Sequence, residues 1–449
     1  MESNKIKFPL YVLIYTIILL SILSFIKTEF KLGTWSLRKV DMFTELKSKP
    51  VLKTEIDSFE SDNKSNPISG AAKDPGAIVQ YSDTNENSGL KIFMKALYDL
   101  KRGKRKKIRI AYFGDSMIEG DLISQDLRKK LQKQYGGTGV GFVPVTSISA
   151  PNRGSVQHTY SPNWKDASFQ NSKWGAYPFG FSGHVFYPKA ANCWFKLKGV
   201  KEERLKDFLS VKFFYGKADS GQTILVNDTP VTLDYTKSYN IESIKFNTPQ
   251  NKVIFNMGSI IDMPVYGASI ESELGITLDN YSFRGISGIE LSEIPSAYFK
   301  TINEKYPYDL VILHYGPNLL FKPELVDFSW FERKMEKTMA HLKKNLPKTS
   351  ILIIGSADKA SHVLGNWQTA LGVVPLIHSQ QRIAKKYHCA FWNLYEMMGG
   401  KNSMVEWADK KPVLANKDYT HFNYKGAQKV GNYLFKSILD NFNAYEQKN

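Results

Sequence analysis

Two cysteines, Cys193 and Cys389, in 449 residues are too few for a disulfide framework or a zinc–thiolate site. No histidine spacing of the H-E-x-x-H kind occurs, Asp358, His362 and His378 included, so no metal is expected. Acidic residues are outnumbered, 43 against 60 Lys and Arg, and the resulting +17 points to an anionic neighbour such as a membrane face, an acidic glycan or nucleic acid. Nucleic acid is disfavoured by pattern. The basic run K-R-G-K-R-K-K at residues 101–107 has no zinc knuckle, helix-turn-helix or interleaved aromatics around it, and reads as a solvated, phospholipid-facing loop. With 42% hydrophobic, 13% aromatic and 23% charged residues, wholesale disorder is excluded too.

What the chain does have begins with residues 8–26, a stretch without a charge that as a helix would span ~28 Å, close to a bilayer's hydrocarbon thickness. Lys5 and Lys7 precede it, and neither a small-x-small cleavage site nor a lipobox cysteine follows. Residues 1–27 are therefore expected to be an uncleaved single-pass signal anchor, residues 28–88 a polar linker, and the rest a body held in the periplasm or extracytoplasmic space.

Residues 108–117, I-R-I-A-Y-F-G-D-S-M, read as a strand buried on both faces, a tight turn and then a helix. From 144 to 272 the texture changes to short alternating segments separated by Gly, Asn, Asp and Pro, the pattern of an all-β module. Apolar strands and amphipathic helices alternate again over 273–449. The reading is an α/β domain in two parts, 89–143 and 273–449, interrupted by a jelly-roll-like β-sandwich insert.

Ser116 in G-D-S-M stands where a strand ends and a helix begins, a place that exposes a side chain and supplies N–H groups. Asp418 and His421, in D-Y-T-H, are spaced so that a carboxylate in a loop can reach Nδ1 and leave Nε2 to take a serine proton. Donors for an oxyanion are offered by the Ser116 N–H, the Gly288 N–H in R-G-I-S-G, with Gly285 as the alternative in that stretch, and the Asn318 amide in Y-G-P-N. Asp115 reads as an organiser of the turn and His314 as a core histidine.

Taken in order, G-D-S, G-x-S-G, G-x-N and D-x-x-H resemble the four blocks of the SGNH (GDSL-like) hydrolases, over about 108–142 and 278–442. The resemblance implies a flavodoxin-like three-layer α/β/α fold, Ser116 as nucleophile, Asp418 and His421 as its triad partners, Gly288 and Asn318 as oxyanion donors, and no cofactor. Pro317 and Leu319 depart from the usual block. The insert's position is similar to that in peptidoglycan and polysaccharide O-acetylesterases, where such a module resembles a carbohydrate-binding one. Trp164, Trp174, Tyr177, Phe179 and Trp194 would then stack on sugar rings. The implied activity is removal of O-acetyl groups from an envelope polysaccharide. The alternatives are O-acetyl transfer, with a membrane protein delivering the acetyl donor, and glycan binding without catalysis.

Overall fold

A computed structural model describes residues 11, 15–16, 31–32, 35–36, 76–81, 89–171, 177–322, 324–363 and 365–449. Most of the apolar run at 8–26 lies outside these. Among the described residues no helix is long and apolar enough to cross a membrane. The chain divides into two units, Met1–Pro67 and Ile68–Asn449, and all elements below belong to the second.

Its central sheet has strands β1 (Val79–Gln80), β2 (Lys107–Gly114), β3 (Gly275–Ser282), β4 (Leu310–His314), β5 (Ser350–Ile354) and β6 (Ala390–Trp392), in the spatial order β3-β2-β4-β5-β6-β1. The first five in that order run parallel and β1 closes the edge antiparallel. Counting parallel strands alone, this is the flavodoxin order 2-1-3-4-5. Strand pleating sends successive side chains to opposite faces. Ile108, Ile110 and Tyr112 enter one core with helices α1 (Lys91–Lys101), α2 (Ser124–Tyr135) and the terminal Tyr424–Glu446, while Ala111 and Phe113 enter another with α3 (Ser296–Lys305), α4 (Ser329–Asn345) and α5 (Val373–Lys386). Three layers result.

Residues 141–270 supply two antiparallel sheets. One has the order Asn240–Gln250, Phe208–Tyr215, Val265–Ile270, His184–Pro188, Trp164–Ser168, with Gly141–Pro144 also paired to Val265–Ile270. The other runs Thr229–Thr232, Thr223–Val226, Lys252–Asn256, Trp194–Lys198, Gln157–Tyr160. Phe213, Phe195 and Phe255 form a stacked core between them, with centroids 4.7 and 5.3 Å apart for the two closer pairs. The opposite face of the first sheet, through Phe142, Phe214 and Tyr266, joins the core of Phe113, Tyr281 and Phe299. A buried carboxylate fastens this seam: Asp279 on β3 accepts from the Phe142 N–H at 2.7 Å and from the Tyr308 hydroxyl at 2.8 Å. Burial pushes its carboxyl up to about 6.

One expectation holds in part and one fails. Residues 101–104 and 106 of the basic run are exposed, as a solvated stretch would be, while Lys101, Arg105 and Lys107 pair with Glu446, Asp309 and Glu271. Phe179 is 2% exposed and packs on Phe169 and Tyr177, so it has no face for a sugar. Trp174 lies outside the described residues; Trp164, Tyr177 and Trp194 are half-buried.

Beneath the segment that carries Ser116, Asp121 is fully buried and accepts from Ser124 Oγ and Ser155 Oγ at 2.5 Å each and from Arg128 Nη1 at 3.0 Å. The guanidiniums of Arg128 and Arg153 outweigh burial and hold its carboxyl far below the usual range. Arg128 is itself 1% exposed, so Arg128→Met leaves a buried charge half-compensated. We expect it to lower unfolding free energy by about 3–5 kcal/mol, read from denaturant titration.

Candidate active site

The site is assembled at the C-terminal ends of β2 and β4, which lie side by side in the sheet at its switch point. After Gly114 the chain enters a 3-10 turn, Ser116–Asp121, before α2 begins at Ser124; the serine therefore does not open the helix directly. Asp115 caps the turn, its Oδ1 accepting from the Met117 N–H at 2.9 Å. It is buried, and burial pushes its carboxyl up to about 6.

Ser116 Oγ lies 2.7 Å from His421 Nε2, across 305 positions of sequence. On the other side of the ring, His421 Nδ1 is 2.8 Å from Asp418 Oδ2. With Nδ1–H donated to the carboxylate, Nε2 carries the lone pair and the serine hydroxyl donates to it. Asp418 Oδ1 accepts from the N–H groups of Thr420 and His421, both at 2.9 Å. Burial alone would raise the Asp418 carboxyl, but those N–H groups and the imidazole hold it below its ordinary value. Tyr419 between them takes a left-handed φ of 51° and stacks on Trp367 with centroids 4.4 Å apart.

The two implied oxyanion donors have partners within the protein. Asn318 Nδ2 donates to Asp115 Oδ2 at 3.1 Å and to the Ile286 carbonyl at 2.9 Å. Gly288 has φ 90°, and a Cβ there would lie 2.6 Å from the Tyr315 ring. Its N–H and that of Ser287 face the Glu290 carboxylate, which is buried and takes the Ser287 N–H at 3.2 Å. An incoming carbonyl oxygen must compete with these acceptors. Gly285 is set apart, with Gln170 against it; Gln170 Nε2 donates to the Arg284 carbonyl, and Arg284 Nε to Glu119 at 2.9 Å.

His314 is fully buried, with Nδ1 3.1 Å from the Tyr112 hydroxyl, and burial pushes it down to about 3, so it stays a neutral core group. Asp358 is buried and accepts from the Met404 N–H at 2.8 Å. No group of three or more metal-ligating side chains occurs among the described residues. Glu290 escapes sequence reading, since a Glu two residues beyond a glycine is ordinary; its role comes from the left-handed turn at Gly288 that folds it back.

No family model and no curated protein matches this sequence. Among solved structures the fold is similar to that of a peptidoglycan O-acetylesterase. The two superpose with a TM-score of 0.69 at 23% identity, over 82% of this chain and 99% of the other. A lipase/acylhydrolase from Enterococcus faecalis (TM-score 0.26, 15% identity, 36% of this chain and 76% of that one) and an acetyl xylan esterase (TM-score 0.28, 14% identity, 36% and 81%) are also found, too distant to carry an argument. At 23% identity the first likeness establishes the fold and leaves the chemistry to the residues described above.

Gly288→Ala tests the turn. The left-handed φ and the Tyr315 ring together should cost about 1–3 kcal/mol of stability in thermal denaturation, with acyl-ester hydrolysis reduced beyond what the folded fraction accounts for.

Proposed function

We propose that this chain is a serine esterase that removes O-acetyl groups from a cell-envelope polysaccharide such as peptidoglycan, anchored by residues 8–26 with its body on the extracytoplasmic side. The observation that carries the reading is the continuous hydrogen-bonded series from Asp418 through His421 to Ser116. Ser116 Oγ attacks the acetyl carbonyl as His421 Nε2 takes its proton, and Asp418 steadies the imidazolium. The tetrahedral oxyanion draws the Asn318 amide and the Gly288 N–H away from their resting acceptors and takes the Ser116 N–H as a third donor. Each such donor is worth ~2.7–4 kcal/mol of transition-state stabilisation. As the intermediate collapses and its bond to the sugar oxygen breaks, His421 gives its proton to that oxygen, leaving acetyl-serine and a free sugar hydroxyl. Water, activated by the same imidazole, cleaves the acetyl-serine ester, releasing acetate and restoring the hydroxyl. No step calls for a cofactor.

The side chains of His421 and Asp418 are 38% and 49% exposed, which gives water access to the acyl-enzyme and supports hydrolysis. Trp164 and Trp194 in the region 141–270 are half-buried, and their exposed parts are the candidates for a sugar face. The polysaccharide substrate is further supported by the fold's similarity to a peptidoglycan O-acetylesterase.

Acetate release from p-nitrophenyl acetate and from O-acetylated peptidoglycan should be lost on Ser116→Ala, by roughly 10⁶-fold in kcat, and reduced by roughly 10⁴-fold on Asp418→Asn. Unchanged hydrolysis in S116A would overturn the mechanism. Accumulation of acetylated chitooligosaccharide in place of acetate, when that acceptor is supplied, would instead make the protein an acetyltransferase.

A further inference from the structure

We propose that Lys359 is a positioning residue that holds the Asn318 loop in register with the Ser116–His421 pair; the assignment rests on the esterase reading above. Lys359 ends I-G-S-A-D-K, the segment that leaves β5. Its Nζ donates to the carbonyl oxygens of Pro317 at 3.2 Å and Leu320 at 2.8 Å. Those two carbonyls bracket Asn318, so one ammonium pins the short 3-10 turn Pro317–Leu319 at both ends. Pro317 has no N–H to tie the turn to a neighbour and Gly316 before it brings no side chain, so besides the Gly316 N–H and the Asn318 amide, which meet Asp115, the ammonium is what holds the turn's carbonyl side.

The next residue reaches the other half of the site. The Ala360 N–H donates to the Tyr419 carbonyl at 3.0 Å, inside D-Y-T-H. Consecutive residues therefore fasten the loop of the implied oxyanion donor and the loop of the triad to one strand-end segment. That segment is anchored in turn: the Lys359 carbonyl accepts from the Ala370 N–H at 2.8 Å, and the buried carboxylate of Asp358 holds the Met404 N–H. The ammonium is partly desolvated, which lowers its pKa, while the negative charges of Asp418 and Asp115 favour its protonated form. Charge-assisted hydrogen bonds are roughly twice as strong as neutral ones, so a neutral isostere should let the turn drift.

Lys359→Met keeps the length of the stem and removes the donors. We expect kcat for p-nitrophenyl acetate to fall by about tenfold or more, below the roughly 10²–10³-fold cost of losing an oxyanion donor outright, with KM changed by less than about twofold. Lys359→Arg, which keeps charge and donors, should recover part of the loss. The readout that a purely structural lysine would not move is the cycle with Asn318→Ala: in that background K359M should cost almost nothing, since the side chain it positions is already gone. If K359M does not fold, Lys359→Leu replaces it under the same criteria.

Two results would overturn the assignment: kcat in K359M within about twofold of the parent, or losses from N318A and K359M that multiply independently. S116A separates this failure from that of the underlying reading. Hydrolysis that survives in S116A removes the esterase, whereas hydrolysis lost in S116A but intact in K359M removes only the role of Lys359.

Discussion

Gly114 and His314 stand opposite each other in neighbouring parallel strands, and the site depends on that register. Two residues beyond Gly114 comes Ser116; four beyond His314 comes Asn318. Slipping the pairing by one residue would move one loop past the other by about 3.3 Å and turn every side chain of the strand to the wrong core. The register is held by burial on both faces, with Ile110 and Tyr112 on one side and Phe113 and Leu313 on the other. Chemistry at the strand ends is thus fixed by apolar packing well below it. His421 reaches Ser116 from a loop more than three hundred residues further along, so the only covalent route between them runs through the whole sheet.

The region 141–270 is more than an appendage in energetic terms. Its first sheet is buried on both faces, one against its companion sheet and one against the α/β layers. Asp279, wholly inside protein, is tolerable there because the Phe142 N–H and the Tyr308 hydroxyl satisfy it. Such a seam favours one docking of the two regions, since any other would cost the carboxylate its Phe142 N–H partner and leave it the Tyr308 hydroxyl from its own region. From the same region come Gln170, against the Arg284–Gly285 stretch, and Asn152, whose carbonyl takes the Tyr424 hydroxyl three residues beyond His421.

Much of this was legible in the sequence because strand ends and helix starts carry local signals. G-D-S after an apolar run, and D-x-x-H before a terminal helix, each announce a turn with a reactive side chain. The buried strands β2, β4 and β5 follow from patterning, while their order in the sheet is implied only by the family resemblance. What escaped reading depends on where side chains point after long-range packing. Phe179 is aromatic and sits among turn residues, yet its ring is absorbed by the core. Lys107 belongs to a run that reads as solvated, yet it pairs with Glu271, over 160 positions away. The donors are subtler: residue type and spacing nominate Asn318 and Gly288, but only coordinates reveal that Asp115, Ile286 and Glu290 occupy them at rest. Lys359 was visible as a lysine at a strand end, and its partners, being backbone carbonyls, leave no trace in sequence.

The central claim is that a hydroxyl, an imidazole and a carboxylate act as one nucleophilic unit, and covalent trapping tests it most directly. Treatment with an alkyl fluorophosphonate, followed by digestion and mass spectrometry, should place a single adduct on Ser116, with labelling slowed by orders of magnitude in His421→Ala while the fold is retained. Labelling of another side chain, or of Ser116 at an undiminished rate without His421, would contradict the account.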